Sequence, residues 1–305
     1  MKPKLSVSIV IPNWNGADLL KKHLPAVIKN SNGAHIIVVD DCSTDGSVSY
    51  LEERFPQVAV IKKEKHEGFA SAVNAGVQAA ETDNIVLLNT DIEPEKGYLE
   101  PLLSHFSDPS VFAVGCMDKS MESGKIVLRG RGIGWWEKGF YYHRRGEVTK
   151  SDTAWVSGGS GAFRRSMWND LGGMDPLFNP FYWEDIDLSY RARKAGWKLL
   201  FEAESVVLHF HEKGTIKREF FSKTVIYISY RNQFLFIWKN CTDRKIMLSH
   251  IWYTPIRLVQ AFLRGDLTMM KGYISAVMRL PYVLSHRRCK LQKYKRQDTE
   301  LSMER

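Results

Sequence analysis

Cysteine is scarce in this sequence. Four thiols in 305 residues, Cys42, Cys116, Cys241 and Cys289, stand far apart with no CxxC pair. That spacing excludes a disulfide framework or a zinc knuckle and suits a reducing compartment. Long apolar runs are missing too. The best candidate, Val225 to Trp238, is broken by Arg231, Asn232 and Gln233, whereas a membrane span needs about eighteen or more apolar residues. The N-terminal MKPKLSVSIVIP has two lysines ahead of a short apolar run, but Pro12-Asn13-Trp14-Asn15 follows it with no small-residue cleavage pattern. It reads as a first β-strand, not a signal peptide, and a cytoplasmic location is expected. Neither glycine-rich phosphate fingerprint is present. IPNWNG lacks GxGxxG, and SGGSGAF (Ser157–Phe163) lacks the lysine of a P-loop. A pyrophosphate would then have to be neutralised by a divalent cation. There are no internal repeats and no low-complexity tracts.

Charge is present but uneven. The net +9 divides into +12 for residues 216–305 and −3 for residues 1–215. A near-neutral body with a basic tail points to an anionic contact. Arg287-Arg288 and Lys290 to Arg296 form its densest cluster. Apolar-rich stretches at Ile251–Leu263 and Tyr273–Leu284 carry Arg257, Arg264 and Arg279. The segment is expected either to lie on an anionic membrane as a peripheral contact or to pack as a helical subdomain. No nucleic acid is expected as a partner.

The first hundred residues alternate between β-branched runs and helical patterns. Strands are predicted at Val7–Ile11, Ile36–Val39, Val58–Ile61 and Ile85–Leu88. Helices are predicted at Ala17–Asn30, Ser47–Phe55, Phe69–Ala80 and Lys96–Phe106. The pattern implies an α/β fold with a mostly parallel central sheet covered by helices. Ligands of such sheets bind beyond the carboxyl ends of the strands. Here those ends read PNWNG, DDCS and NTD. Residues 110–155 suggest short strands and a flexible loop, residues 205–211 a strand, and residues 216–290 helices throughout.

Three segments carry chemistry. In LLNTDIE, Asp91 follows an apolar strand and is either a cation ligand, since hard cations take carboxylate oxygens, or a helix N-cap. In VVLHFH, His209 and His211 share one face of a strand and could complete a metal site with Asp91. In FYWEDIDLSYR, Glu184 and Asp185 open a helix that runs to Ala195, beside an aromatic floor. The dipole of a helix start favours ionised acids, and an ionised carboxylate beside an apolar wall can act as a general base. Asp187 and Arg191, four apart, read as a surface pair. A carboxylate at Asp40-Asp41 could accept the imide N–H of a pyrimidine.

Together VSIVIPNWNG, VVDDCSTDGS, EGFASAVNAGVQAA, LLNTDIEP, VSGGSGAFRRSMWNDLGGMDPLF, FYWEDIDLSYRARKAGWKL and HFHEKGT resemble a family-2 glycosyltransferase of the GT-A fold. The style is that of the rhamnosyltransferase-like branch of surface-polysaccharide synthesis, and the likeness covers roughly residues 5–215. It implies a catalytic domain over 1–215, split into a nucleotide-sugar half (1–110) and an acceptor half (111–215), with a helical extension over 216–305. It implies Pro12, Asn13, Asn15 and Asp41 at the base and ribose, and Gly68, Phe69, Asn74 and Asn89 along the nucleotide. Asp91, with His209 or His211, would approach Mg²⁺ or Mn²⁺. Gly158 and Gly159 would shape the acceptor loop, Trp183 would belong to a stacking wall for the acceptor, and Asp185 would be the base, with Glu184 beside it. Asn89-Thr90-Asp91 stands where many relatives have Asp-x-Asp. The reaction implied is inverting transfer from a nucleotide-diphosphate sugar, dTDP-rhamnose or a UDP-sugar, to a hydroxyl of a glycan or lipid-linked glycan. A sugar nucleotidyltransferase and a non-catalytic scaffold of the same fold are the alternative readings.

Overall fold

The computed structural model describes residues 6–31, 33–122, 124–210, 221–290 and 294–304. Strand β1 (Val7–Asn13) shows how the sheet forms. Its buried residues alternate between two cores, as period-two side chains must. Ile9 and Ile11 pack with Leu20 and Leu24 of helix α1 (Ala17–Asn30), while Val10 packs with Val73 and Val77 of α3 (Phe69–Ala79) on the other face. Gly76 sets how closely α3 approaches. A Cβ there would stand 2.3 Å from the Val10 side chain and 2.9 Å from that of Val39.

The main sheet runs β3-β2-β1-β4-β10-β6-β11-β5, with β7 on the far side of β6. Strands β2 (His35–Asp40), β3 (Ala59–Lys62) and β4 (Asn84–Leu88) join β1 in parallel, as the sequence pattern implied. The rest is mixed. Strand β10 (Ser160–Arg164) enters antiparallel between β4 and β6 (Val111–Glu122), and β11 (Lys198–His209) runs parallel to β6. Strands β5 (Ile92–Pro94) and β7 (Lys125–Arg129) pair antiparallel to β11 and β6. Helices α2 (Ser47–Arg54), α4 (Leu99–Ser104) and α5 (Arg165–Leu171) complete the body.

Three local expectations change. The helix predicted from Lys96 starts only at Leu99, because Gly97 adopts a left-handed φ of +85°. Residues after Asp91 form β5, so Asp91 caps no helix. Residues 110–155 hold the twelve-residue β6 and a regular hairpin of β8 (Gly132–Glu137) and β9 (Phe140–Arg145), where a flexible loop was expected.

The C-terminal helices are α6 (Glu184–Lys194), then α7 (Ser222–Asn240), α8 (Arg244–Leu263), α9 (Leu267–Met278) and α10 (Leu280–Lys290). They do not hang from the body. Phe234, Phe236 and Ile237 of α7 share a third core with Phe140, Tyr141, Trp183 and Tyr190, and Leu301 closes it. Asp187 is fully buried and binds Arg191 at 2.8 Å, Lys239 at 2.7 Å and Asn240 at 2.8 Å. The pair expected on the surface is therefore interior, because α7 covers it. Lys239 also reaches Asp175 at 2.7 Å. Asp298 ties the last residues inward through Lys194 at 2.8 Å and the Thr242 and Asp243 backbone.

Candidate active site

A cavity of about 330 Å³ opens at the carboxyl ends of β1, β2 and β4, where open α/β sheets place their ligands. On one side Asp41, buried, organises the segment before α3. It accepts from Lys63 Nζ at 2.7 Å, the Gly68 N–H at 2.7 Å and the Glu67 N–H at 3.1 Å, and it pairs with His66 Nδ1 at 2.8 Å. A carboxylate has about four acceptor sites, so Asp41 holds the wall together with its capacity already committed. Gly68, at φ +91°, permits the approach, since a Cβ would stand 3.0 Å from the Asn179 side chain. The His66 ring in turn stacks on Trp14, centroids 4.0 Å apart and planes 17° apart, and both line the cavity.

Of the residues expected along the nucleotide, Pro12, Asn13, Asp41, Gly68, Phe69 and Asn89 line the cavity. Asn13 also holds Asp40 at 2.8 Å and Ser43 at 3.2 Å, tying the β1 end to the β2 end. Two members of that set stand outside the lining. Asn15, at φ 49°, accepts from the Thr44 N–H at 2.8 Å and so fastens a turn. Asn74 clamps both backbone polar atoms of Met174, at 2.7 and 3.0 Å.

Deeper in the cavity lie Asp91 and His209, both buried. His209 Nε2 is 3.3 Å from Asp91 and Nδ1 is 2.7 Å from Asp118, whose other oxygen accepts from Ser120 at 2.8 Å. Burial works against charge on this imidazole. The bonds to Asp118 and Asp91 outweigh it and raise the His209 pKa to about 9. Among the described residues no three His, Cys, Asp or Glu form a closed cage. Two protein donors suffice for a hard cation that takes the rest of its shell from substrate phosphate and water. Adjacent ligands on an octahedral ion with bonds of about 2.1 Å lie about 3 Å apart, so the Asp91–His209 spacing suits such an ion, whose binding would displace the Nε2 proton. Asp118 would then be the carboxylate that orients the imidazole. His211 lies outside the described residues.

The third wall is the segment 178–185. Tyr182 and Trp183 both take left-handed backbone angles, φ 68° and 78°, which bulky residues adopt only when held. Asn232 of α7 holds them, donating Nδ2 to the carbonyls of Phe178 at 2.9 Å, Phe181 at 3.1 Å and Tyr182 at 2.8 Å. The turn aims Glu184 and Asp185 into the cavity. Asp185 accepts from the Ile186 N–H at 2.7 Å and faces the Gly158 N–H at 3.5 Å. Burial raises its pKa against these bonds. Glu184 is raised well above the ordinary carboxylate range, by burial first and by Asp185 next, and its buried Oε2 has no hydrogen-bond partner. The ionising influence expected of the helix start is thus outweighed by desolvation. Gly158 and Gly159 line the cavity opposite, and a Cβ on Gly159 would sit 2.4 Å from the Asn89 amide. Their placement follows from β10 pairing with β4, extended by the Asn89 N–H to Gly159 carbonyl bond at 3.0 Å.

Trp183 departs from its expected role as an acceptor platform. It is buried against Phe236 at 5.1 Å and His143 at 4.9 Å, within the third core. Of the Phe-Tyr-Trp segment, Phe181 and Tyr182 reach the cavity, the latter 42% exposed. Sequence reasoning placed Tyr182 in the aromatic floor but passed over Trp14, His66 and Asp118. His66 lies in a charged stretch, KKEKHEG. Asp118 stands in mid-strand, where only the fold reveals its neighbour.

Folds with these elements are known. A mannosyltransferase from Pyrobaculum calidifontis, solved with GDP-Man and Mn²⁺, superposes at a TM-score of 0.57 with 16% identity, covering 96% of this chain and 82% of that one. GalNAc-T7, solved with UDP, GalNAc and Mn²⁺, gives a TM-score of 0.57 at 22% identity over 73% of this chain and 48% of that one. The fold is that of the GT-A glycosyltransferases. Residues 8–172, more than half of the chain, match the family model described as Glycosyl transferase family 2, and the chain belongs to that family. Relatives include a pre-mycofactocin glycosyltransferase of Mycobacterium tuberculosis, 28% identical over 226 residues, which is 72% of this chain and 46% of that protein, so this chain spans about half of its length. An N-acetylglucosaminyl-diphospho-decaprenol L-rhamnosyltransferase of the same species is 26% identical over 77% of this chain and 81% of that protein. The O-antigen chain rhamnosyltransferase WbaN of Salmonella anatum is 26% identical, over 70% and 69%.

Proposed function

We propose that this chain transfers a sugar from a nucleoside-diphosphate donor to a hydroxyl of a glycan or lipid-linked glycan, with inversion at the anomeric carbon and Asp185 as the base. One observation carries the reading. Two adjacent carboxyls meet the cavity in unequal states: Glu184 is buried with an unpartnered oxygen, and Asp185 is braced by a backbone N–H. Such a pair divides into a neutral member and an ionisable one. Asp185 then takes the acceptor proton as the acceptor oxygen bonds to the anomeric carbon, and the nucleoside diphosphate leaves with the electron pair of the broken C–O bond. The Trp14–His66 stack and the loop built on Asp41 bind the nucleoside end. The Asn89 amide and the Gly158-Gly159 backbone pass close to the sugar. Tyr182 offers its exposed ring to the acceptor.

Asp91 and His209 would hold a divalent cation, Mn²⁺ or Mg²⁺, with Asp118 orienting the imidazole. When bound, that ion neutralises charge developing on the diphosphate. The two relatives named rhamnosyltransferases favour a deoxyhexose donor such as dTDP-rhamnose, with UDP-sugars next. The test is release of nucleoside diphosphate from a panel of dTDP-, UDP- and GDP-sugars with Mn²⁺ or Mg²⁺. At least one donor is expected to turn over, to stop with EDTA and to resume on adding either ion. Tight nucleotide binding without turnover of any donor, with glycan acceptors present, would favour the scaffold reading.

A further inference from the structure

Helix α8 turns the wrong face to solvent. Leu248, Ile251, Trp252, Ile256, Val259, Phe262 and Leu263 recur at helical spacing, and all are exposed; Trp252 is 71% and Leu263 77% accessible. The opposite face, with His250, Thr254 and Ala261, is the buried one. In a helix packed only on its own body the apolar stripe faces inward. Helix α9 repeats the arrangement, with Leu267, Ile274, Val277 and Met278 exposed, while Met269, Gly272 and Ala276 face α7. The two helices meet at a tight turn, with Gly265 at φ +72°. Fifteen of the eighteen large apolar side chains exposed among the described residues fall between Phe221 and Leu284.

The charges around this face have one sign. Residues 244–285 hold six basic residues and one acid. Arg244, Lys245, Arg264 and Lys271 are exposed, whereas Asp266 is used as the cap of α9, accepting from Thr268 and Met269, and by the Tyr230 hydroxyl. No described helix is long and apolar enough to cross a bilayer. An exposed apolar stripe with aromatic members, ends marked by Lys and Arg, and no exposed acid matches an interface between headgroups and acyl chains. Lys271, within the α9 stripe, can lay its stem on the apolar surface and keep its ammonium at the headgroups.

We propose that the outward face of α8 and α9 docks on an anionic phospholipid bilayer and lies in its plane. The anchoring surface is this helix pair, where the apolar stripe lies. Of the basic cluster at 287–296, Arg287 is held by the Trp238 and Cys241 carbonyls. Residues 291–293 of that cluster lie outside the described residues. Such a dock would hold α7, and with it the Asn232-braced wall of the cavity, at a fixed distance from the lipid surface.

The test is co-sedimentation of the full-length protein with phosphatidylglycerol-containing vesicles, against pure phosphatidylcholine vesicles. The wild type should pellet with the anionic vesicles and bind neutral ones more weakly. Trp252→Glu with Phe262→Glu should weaken binding by about tenfold or more, equivalent to about 1.4 kcal/mol, with the melting temperature unchanged. A charge-only variant, Lys245→Glu with Arg264→Glu, should lose preference for anionic over neutral vesicles. Vesicle binding equal in wild type and Trp252→Glu/Phe262→Glu would overturn the proposal. So would a wild type that ignores vesicles, whether or not light scattering then shows a dimer that this double variant dissolves. The readout does not depend on turnover, so it stands apart from the transferase reading.

Discussion

Glu184 and Asp185 are neighbours in sequence with different surroundings. Glu184, interior and without a partner for Oε2, has its pKa raised well above the ordinary carboxylate range by burial and by the charge of Asp185. A carboxyl whose folded pKa lies above its unfolded value adds no penalty below the ordinary carboxylate range. Its burial costs stability as pH rises toward the raised value. Glu184→Gln should therefore melt with the wild type in acid and above it at neutral to alkaline pH, as differential scanning fluorimetry would show. The same variant should keep its activity within about tenfold, short of the roughly 10²–10⁴-fold that losing a general base costs. Its inactivity would move the base to Glu184. If Asp185 is the base, its pKa, raised by burial as well, should set the acid limb of the activity profile above the usual carboxylate range, with activity gained as pH rises through it. The acidic pair was legible because acids seldom follow Phe-Tyr-Trp. Their protonation was not, because the sequence shows the helix start but not the apolar wall that outweighs its dipole. Trp183 was misplaced for a related reason: its left-handed φ turns the ring toward Phe236, and that turn is set by carbonyls held from α7.

Helix α7 braces the wall of the cavity through the Asn232 amide, and Arg231 beside it donates to the Asn179 carbonyl at 2.6 Å. Asn232, fully buried, satisfies the carbonyls of Phe178, Phe181 and Tyr182. Without it those carbonyls lose their donor, at a cost of about 1–3 kcal/mol for an unsatisfied buried group. Asn232→Ala should lower kcat while leaving KM for the donor near its wild-type value, because the nucleotide wall is built from β1, β2 and the start of α3. A change confined to KM would contradict this positioning role. The elements themselves were largely readable. Apolar β-branched runs fix β1 to β4, and the leucine spacing of α1 fixes its bounds. The late start of α4 and the antiparallel entry of β10 depend on Gly97 and on pairing across the sheet, which local pattern does not encode.

At the scale of the molecule, the boundary at residue 215 marks a change of composition and no seam in the packing. The third core takes residues from both sides, and Asp187 and Asp175 find Lys239 across it. A buried charge that loses its partner costs about 3–5 kcal/mol, a large share of the about 5–15 kcal/mol that holds a domain folded. Truncation after residue 215 should thus give a molten or insoluble product, with near-ultraviolet circular dichroism lost and dye-binding apolar surface gained. A truncated chain with native-like spectra would contradict the shared core. The basic, apolar composition of residues 216–305 was plain in the sequence. Its double use, one face of the helices in the core and another turned outward, needed the fold.

The most direct test of the central claim compares wild type and Asp185→Asn with the donor that turns over best, measuring nucleotide affinity and transfer together. The amide keeps the shape and removes the base. The expected result is an unchanged nucleotide Kd with transfer lowered by about 10²-fold or more. Transfer at the wild-type rate in Asp185→Asn would contradict the assignment of Asp185 and the mechanism built on it.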